Sequence, residues 1–366
     1  MVSVRVRELG AAMVGGGDAV QGISVPPGSG PVVDLAPLRD QRRPVWLALS
    51  EDGTISRWDM DAGTHETVGT TTVEAEPDRE PWNDRHLRRR LHASHDGGFA
   101  AVVNDYGRFG EVIDLRTGEV TLALDNQGDH EETVPFSLAF ARSRGRCVVV
   151  HRTAWNRLDV SDAQTGVLLT DRSLPAHTAT EAVPEHHLDY FHGSLYVSPD
   201  GRRILDDGWV WHPVGIPAVW DLAPWIDGNV WESEDGPSRI DVCVREYYWD
   251  HGMTWIDSTL VAVEGLGDDD EAMRPGARIF DTSRTGRSGT RRVSVAAEVL
   301  SFEGPAGLFF SDGTQLFSGD GSDLSIWDPT EGKLLGTVPG FSPTHYHPDA
   351  RQFAQLADDM VRLRVL

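Results

Sequence analysis

The chain is poor in cysteine, has no long apolar run and carries few positive charges for its size. Two cysteines in 366 residues, Cys147 and Cys243, exclude a disulfide-stapled mini-protein. Both sit inside apolar runs, CVVV and DVCV, with no motif beside them that would make a thiolate, which predicts buried thiols in a cytoplasmic protein. No stretch reaches the roughly 18 apolar residues that a membrane-spanning helix needs. Residues 1–10 alternate Val2, Val4 and Val6 with Ser3, Arg5 and Arg7, unlike the continuous apolar core of a secretory signal, so no export is expected. Against 57 Asp and Glu stand 33 Lys and Arg, a net charge of −24. That balance disfavours duplex nucleic acid and anionic lipid, whose binding draws on Lys and Arg.

Enzyme signatures are missing as well. There is no Ser-based nucleophile elbow, no Cys-x-x-Cys pair and no dinucleotide fingerprint. The run Gly15-Gly16-Gly17 lacks the Lys and the helix that a phosphate-cradling loop requires, and reads as a turn. A hydrophobic content of 39% nevertheless excludes a wholly disordered acidic chain.

What the sequence does contain is repetition. Short runs rich in Val, Ile, Leu, Trp and Phe alternate with Gly, Asp and Pro, an all-β pattern. Many runs close on one phrase, an apolar strand ending in Asp with a Gly four residues later: Ile55-Ser56-Arg57-Trp58-Asp59 with Gly63, Val112-Ile113-Asp114 with Gly118, Asp162 with Gly166, and Ile326-Trp327-Asp328 with Gly332. Looser copies end at Asp221 and Asp281, and residues 360–366 form a further strand of this type. A second landmark precedes the phrase: Asp96-Gly97, Arg144-Gly145, Asp200-Gly201 and Asp312-Gly313. Gly at such a turn supplies the positive φ of a tight hairpin, so two strands should lie upstream of each phrase. With the strand that follows, each unit has about four strands, and a four-stranded antiparallel unit repeated about seven times is a propeller blade.

Ser-Pro-Asp-Gly-Arg at 198–202, Ser-Ile-Trp-Asp-Pro-Thr-Glu-Gly-Lys at 325–333 and Ile-Asp-Leu-Arg-Thr-Gly-Glu at 113–119 resemble bacterial WD-repeat propellers. The resemblance implies one domain over residues 1–366, a seven-bladed β-propeller of four-stranded antiparallel blades. Such a ring must close or leave open sheet edges, and residues 2–8 are expected to close it by pairing beside residues 360–366. Trp58, Trp220 and Trp327, in the repeat phrase, should pack between blades.

The candidate functional residues fall outside that framework. Trp209, Trp211, Trp225, Trp231, Trp249 and Trp255 crowd the expected fourth and fifth blades, and Trp dominates binding hot spots, so the first five are the expected recognition surface. His192 and His251 precede expected inner strands, where with a nearby carboxylate they would hold a divalent metal ion at the channel. His345 and His347 would share one face of an extended stretch. In the WD-repeat family, by resemblance, a histidine near this position hydrogen-bonds within its own blade instead. The acidic run Asp268-Asp269-Asp270-Glu271 lacks calcium-loop spacing and reads as a solvated loop. The basic run Arg85, Arg88, Arg89 and Arg90 reads likewise as a solvated strand or loop. The expected function is a non-catalytic scaffold for a protein or peptide partner, without cofactor. The alternatives are a propeller enzyme, a metal-assisted lyase or hydrolase at the channel mouth, and a structural subunit of a larger complex.

Overall fold

The computed structural model describes residues 7–8, 20–24, 30–39, 43–75, 85, 87–173, 183–287, 294–357 and 360–366. Strands dominate, and nearly all are joined by antiparallel pairing to their neighbours in the chain. The first sheet runs Val32–Leu38, Val45–Ser50, Thr54–Asp59, Thr64–Thr70, and the second Arg88–Ala93, Phe99–Asp105, Phe109–Asp114, Glu119–Asp125. A third holds Leu138–Ser143, Arg146–Ala154 and Arg157–Asp162. A ten-stranded fourth sheet contains two antiparallel sets, residues 191–246 and 253–303, joined where Ile240–Asp241 runs parallel to Ser294 and Val295. A fifth sheet spans 308–338, and the last joins His345–His347, Gln352–Ala357 and Met360–Val365 to Gln21–Ser24.

The repeat phrase explains this regularity. Each phrase Asp turns its carboxylate onto the amides that follow it: Asp59 accepts from Ala62 N at 2.8 Å, Asp162 from Gln164 N and Thr165 N at 3.0 Å each, and Asp328 from Thr330 N at 2.8 Å. The Gly four residues on adopts positive φ, 61° at Gly63, 75° at Gly118, 67° at Gly166 and 66° at Gly332, which reverses the chain into the next strand. The upstream Asp-Gly and Arg-Gly pairs make the expected hairpins, as between Arg88–Ala93 and Phe99–Asp105.

Middle strands are continuously apolar because both of their faces pack. Val45–Ser50 and Phe99–Asp105 are buried throughout, whereas the outer strand Lys333–Val338 is mostly exposed. The core divides into clusters that bridge successive sheets. One packs Leu47 and Ile55 with Leu91, Val102 and Ile113, and another packs Val148, Val150 and Val160 with Ile204 and Trp220. A further cluster joins the last sheet to the first, with Ile23, Ala354, Val361 and Leu363 against Leu35, Trp46 and Trp58. Across the same seam Trp46 Nε1 donates to Gln352 Oε1 at 2.7 Å. Trp58, Trp220 and Trp327 thus lie between sheets, as the phrase predicted.

Two expectations need correction. The strand beside Met360–Val365 is Gln21–Ser24, whereas Arg7–Glu8 pairs with Thr64 and His65 on the outer strand of the first sheet. Residues 2–6 lie outside the described residues. Only Ile23 of Gln21–Ser24 enters the core, so no periodicity flags that strand. The third sheet has three strands among the described residues rather than four. Its outer edge carries only a bridge between Ser161 and Leu168, and of two short helical segments later in the chain, Leu222–Asp227 and Glu232–Asp235, the first contributes Leu222 and Trp225 to the cluster against it.

The turn glycines give a direct test. A Cβ on Gly166 would sit 2.6 Å from the Thr121 carbonyl oxygen of the preceding sheet, while one on Gly118 would meet nothing within 4 Å. Chemical denaturation should show Gly118→Ala losing about 1–2 kcal/mol, the cost of a left-handed residue, and Gly166→Ala losing clearly more. Equal losses would refute the inter-sheet contact.

Candidate functional site

One edge of the fourth sheet builds an aromatic platform. Phe191, which opens the strand Phe191–Val197, is the register partner of Trp209 near the end of Arg203–Val210. Their rings stack at 4.3 Å, and Trp249 stacks on Trp209 at 4.9 Å. Trp211 meets Trp209 edge-on at 5.4 Å, and His130 meets both Phe191 and Trp211 edge-on. Both stacked indoles are anchored on Thr133: Trp209 Nε1 donates to its hydroxyl at 3.2 Å and Trp249 Nε1 to its carbonyl at 2.9 Å. Trp209 is 2% exposed, but Trp211 is 51%, Tyr247 62% and Val244 50% exposed. A rigid, hydrogen-bonded base therefore presents the half-exposed Trp211 to solvent, and Tyr247 is held close in the fold through the hydrogen bond from its amide to the Pro213 carbonyl.

Of the five expected recognition tryptophans, Trp209, Trp211 and Trp249 come together here. The other two do not. Trp225 is fully buried in the helical insertion, its indole bonded to the Val230 carbonyl, and Trp231 stacks on His186 at 4.5 Å. Beneath Trp231 lies Arg172, buried between Asp159, at 2.7 Å, and Glu234. These two tryptophans cover the three-stranded third sheet. Sequence reasoning passed over Phe191, His130 and Tyr247, which lie far apart in the chain or in turns and carry no local signal.

The platform is tied to the centre of the molecule by residues 245–250. Asp207, fully buried, accepts from Arg245 Nη2 at 3.1 Å and from the Asp250 amide at 3.0 Å. Between those two anchors, Glu246 N donates to the Asp268 carbonyl and Tyr247 N to the Pro213 carbonyl, each at 2.7 Å. Burial pushes Asp207 up to about 6, against the opposing pull of Arg245. The Asp250 carboxylate, also raised by burial, accepts from Tyr106 OH at 2.5 Å and faces Arg85 at 3.4 Å.

Asp250 lines a cavity of about 790 Å³ walled by inner strands of six of the successive strand sets, Leu35, Leu91, Tyr196, Met253, Phe309 and His345 among them. His251 is in its wall and His192 is not. His192 is buried and its Nδ1 lies 2.6 Å from Asp206 on the adjacent strand. His251 stacks on Tyr248 and lies 3.3 Å from Glu264. His345 pairs with Asp34 at 2.7 Å, and His347 is buried edge-on to Trp46. Each histidine of the expected metal pair has a carboxylate of its own strand set as partner, and among the described residues no group of three or more His, Cys, Asp or Glu side chains gathers to hold a metal ion.

The acidic run lies against the loop that carries Tyr247: Asp269 forms a bridge with Glu246, Asp268 pairs with Arg278 at 3.0 Å, and Asp269 accepts from Glu271 N. Cys147 and Cys243 are free, and burial pushes the Cys147 thiol up to about 12. No helix among the described residues is long and apolar enough to cross a membrane.

No family model matches the chain, and no curated protein matches it. Among solved structures it is similar to a chain of the crystal structure of the mitotic checkpoint complex, at 14% identity over 99% of this chain and 91% of that one, with a TM-score of 0.53. At that identity the likeness speaks to fold alone, and with the all-β sheets it supports a β-propeller fold.

The clamp can be tested by a double-mutant cycle. Arg245→Met leaves the buried Asp207 carboxylate uncompensated and should cost roughly 3–5 kcal/mol in denaturant unfolding. Arg245→Met with Asp207→Leu should be less destabilised than Arg245→Met alone, because the stranded charge is gone and only the Asp250 amide lacks its partner. Additive losses would contradict a buried pair.

Proposed function

We propose that the chain is a non-catalytic propeller scaffold that holds a protein or peptide partner on the face carrying Trp211 and Tyr247. The observation that carries this reading is the pre-stacked aromatic base with its half-exposed rim. Affinity of this kind is cheap in entropy, since Trp209 and Trp249 are already fixed by Thr133. The reading needs no cofactor.

We read the fold beneath it as seven blades in a closed ring. Support comes from counting the two antiparallel sets of the ten-stranded sheet separately and from the apolar cluster shared by the last and first sheets.

Charge complementarity names the kind of partner. Exposed acids flank the rim: Asp129, 57% exposed, beside His130; Glu246; and Asp268, 82% exposed, at the head of the acidic run. On a chain of net charge −24, this surface selects a cationic segment bearing Arg or Lys with an apolar neighbour, and Arg can also stack on an exposed indole.

Tryptophan fluorescence titration with short synthetic peptides tests the reading. A cationic, aromatic-containing peptide should perturb the emission and bind, and its acidic counterpart should not. Trp211→Ala should weaken binding at least tenfold, about 1.4 kcal/mol, whereas Leu335→Ala, on an exposed outer strand, should leave it unchanged. Equal binding by both variants would rule out this face.

A further inference from the structure

The cavity differs from the platform in the sign of its unused hydrogen-bonding capacity. Arg88, Arg90 and His92 alternate along the inner strand Arg88–Ala93 and all line the cavity. Arg89, on the other face, is nearly buried and donates to the Glu51 carbonyl of the first sheet. Arg88 and Arg90 share one anchor, the fully buried Asp105: Arg88 Nε donates to its Oδ2 at 3.1 Å, and Arg90 Nε lies 2.6 Å from the same oxygen. Asp105 is itself held by the Phe136 amide on its other oxygen at 3.2 Å. Among the described residues no hydrogen bond runs from a terminal nitrogen of either guanidinium, and the two side chains are 55% and 30% exposed.

The acids that share the cavity wall are already committed. Asp34 accepts from Leu91 N and pairs with His345, both at 2.7 Å. Asp250 is taken by Tyr106 and Arg85. Glu264 accepts from Tyr248 OH and Gly307 N and faces His251. Asp320 caps its own turn through Ser322 N and Asp323 N. His92, whose Nε2 is buried without a partner, is pushed down to about 4 by burial and by Arg90, and so is neutral at neutral pH. What remains to be satisfied in the cavity is a set of donors, two guanidinium edges on one side of one strand. Planar paired N–H donors of this kind match a carboxylate or phosphate oxygen pair. A volume of about 790 Å³ is within the range of small-ligand sites.

We propose that the central cavity binds a small ligand through a carboxylate or phosphate group seated on the outer guanidinium edges of Arg88 and Arg90, with Asp105 as the residue that orients both. The basic run is then a ligand site within an acidic protein rather than a solvated stretch. The site is separate from the aromatic platform, and its test does not depend on that reading.

Calorimetric titration of the full chain with citrate and with inorganic phosphate, each against chloride at equal ionic strength, tests this. The wild type should take up one equivalent of one of the two, and which one it takes identifies the group as carboxylate or phosphate. Arg88→Gln, at a half-exposed position that the fold tolerates, should weaken binding roughly tenfold or more. Arg90→Lys should weaken it similarly, because it keeps the charge but lacks the fork. Arg202→Gln, 84% exposed outside the cavity, should change nothing. Failure of both anions to bind at millimolar concentration, or undiminished binding by Arg88→Gln and Arg90→Lys, would overturn the proposal.

Discussion

A single buried carboxylate, Asp207, holds the aromatic platform to the rest of its sheet. It lies on the second strand of its set and reaches across to both ends of residues 245–250, taking the Arg245 guanidinium at one end and the Asp250 amide at the other. Six consecutive residues are thereby fixed as a strap. Within it, Glu246 binds the acidic loop, Tyr247 stands exposed, Tyr248 supports His251, Trp249 completes the aromatic stack and Asp250 closes on Tyr106 at the cavity. The cost is a desolvated charge, seen in the upward shift of Asp207. Such a group is tolerated where two good partners compensate it. A surface loop has in this way become as determined as a strand, which is what a pre-organised binding platform requires.

Much of the scaffold was legible in the sequence because its determinants are local. An Asp whose side chain caps its own turn and a Gly at positive φ four residues on act within five residues, so the phrase predicts the same reversal wherever it recurs. Trp58, Trp220 and Trp327 were readable for the same reason, since their phrase position fixes which sheet face they occupy. The closing strand was not readable. Gln21–Ser24 has one core residue, Ile23, and its place is set by the open edge of Met360–Val365 hundreds of residues away. The third sheet escaped because residues 167–169, where a fourth strand was expected, pair with Arg157–Asp162 only through a single bridge.

The site was legible only in part, and the reason is again distance. Trp209, Trp211 and Trp249 stood out by residue type, but their neighbours Phe191, Thr133 and His130 are assembled by the fold. Trp225 and Trp231 share the same residue type and local crowding, yet serve the interior of the helical insertion. Composition cannot separate a buried indole from an exposed one. The basic run shows the converse. Arg88 and Arg90 look like an ordinary solvated charge run until the strand alternation and the buried Asp105 place both on one wall of one cavity. On the two proposals, the acidic rim outside and the Arg88–Arg90 wall inside would select partners of opposite charge.

Amide hydrogen exchange on the full chain tests the strap most directly. If Asp207 and its neighbours fix residues 245–250 as described, the amides of Glu246, Tyr247 and Asp250, each bonded at 2.7–3.0 Å, should exchange as slowly as those of the strand Arg203–Val210. Exchange of these three at the rate of an unstructured peptide, with Arg203–Val210 still protected, would contradict the account of a pre-organised face.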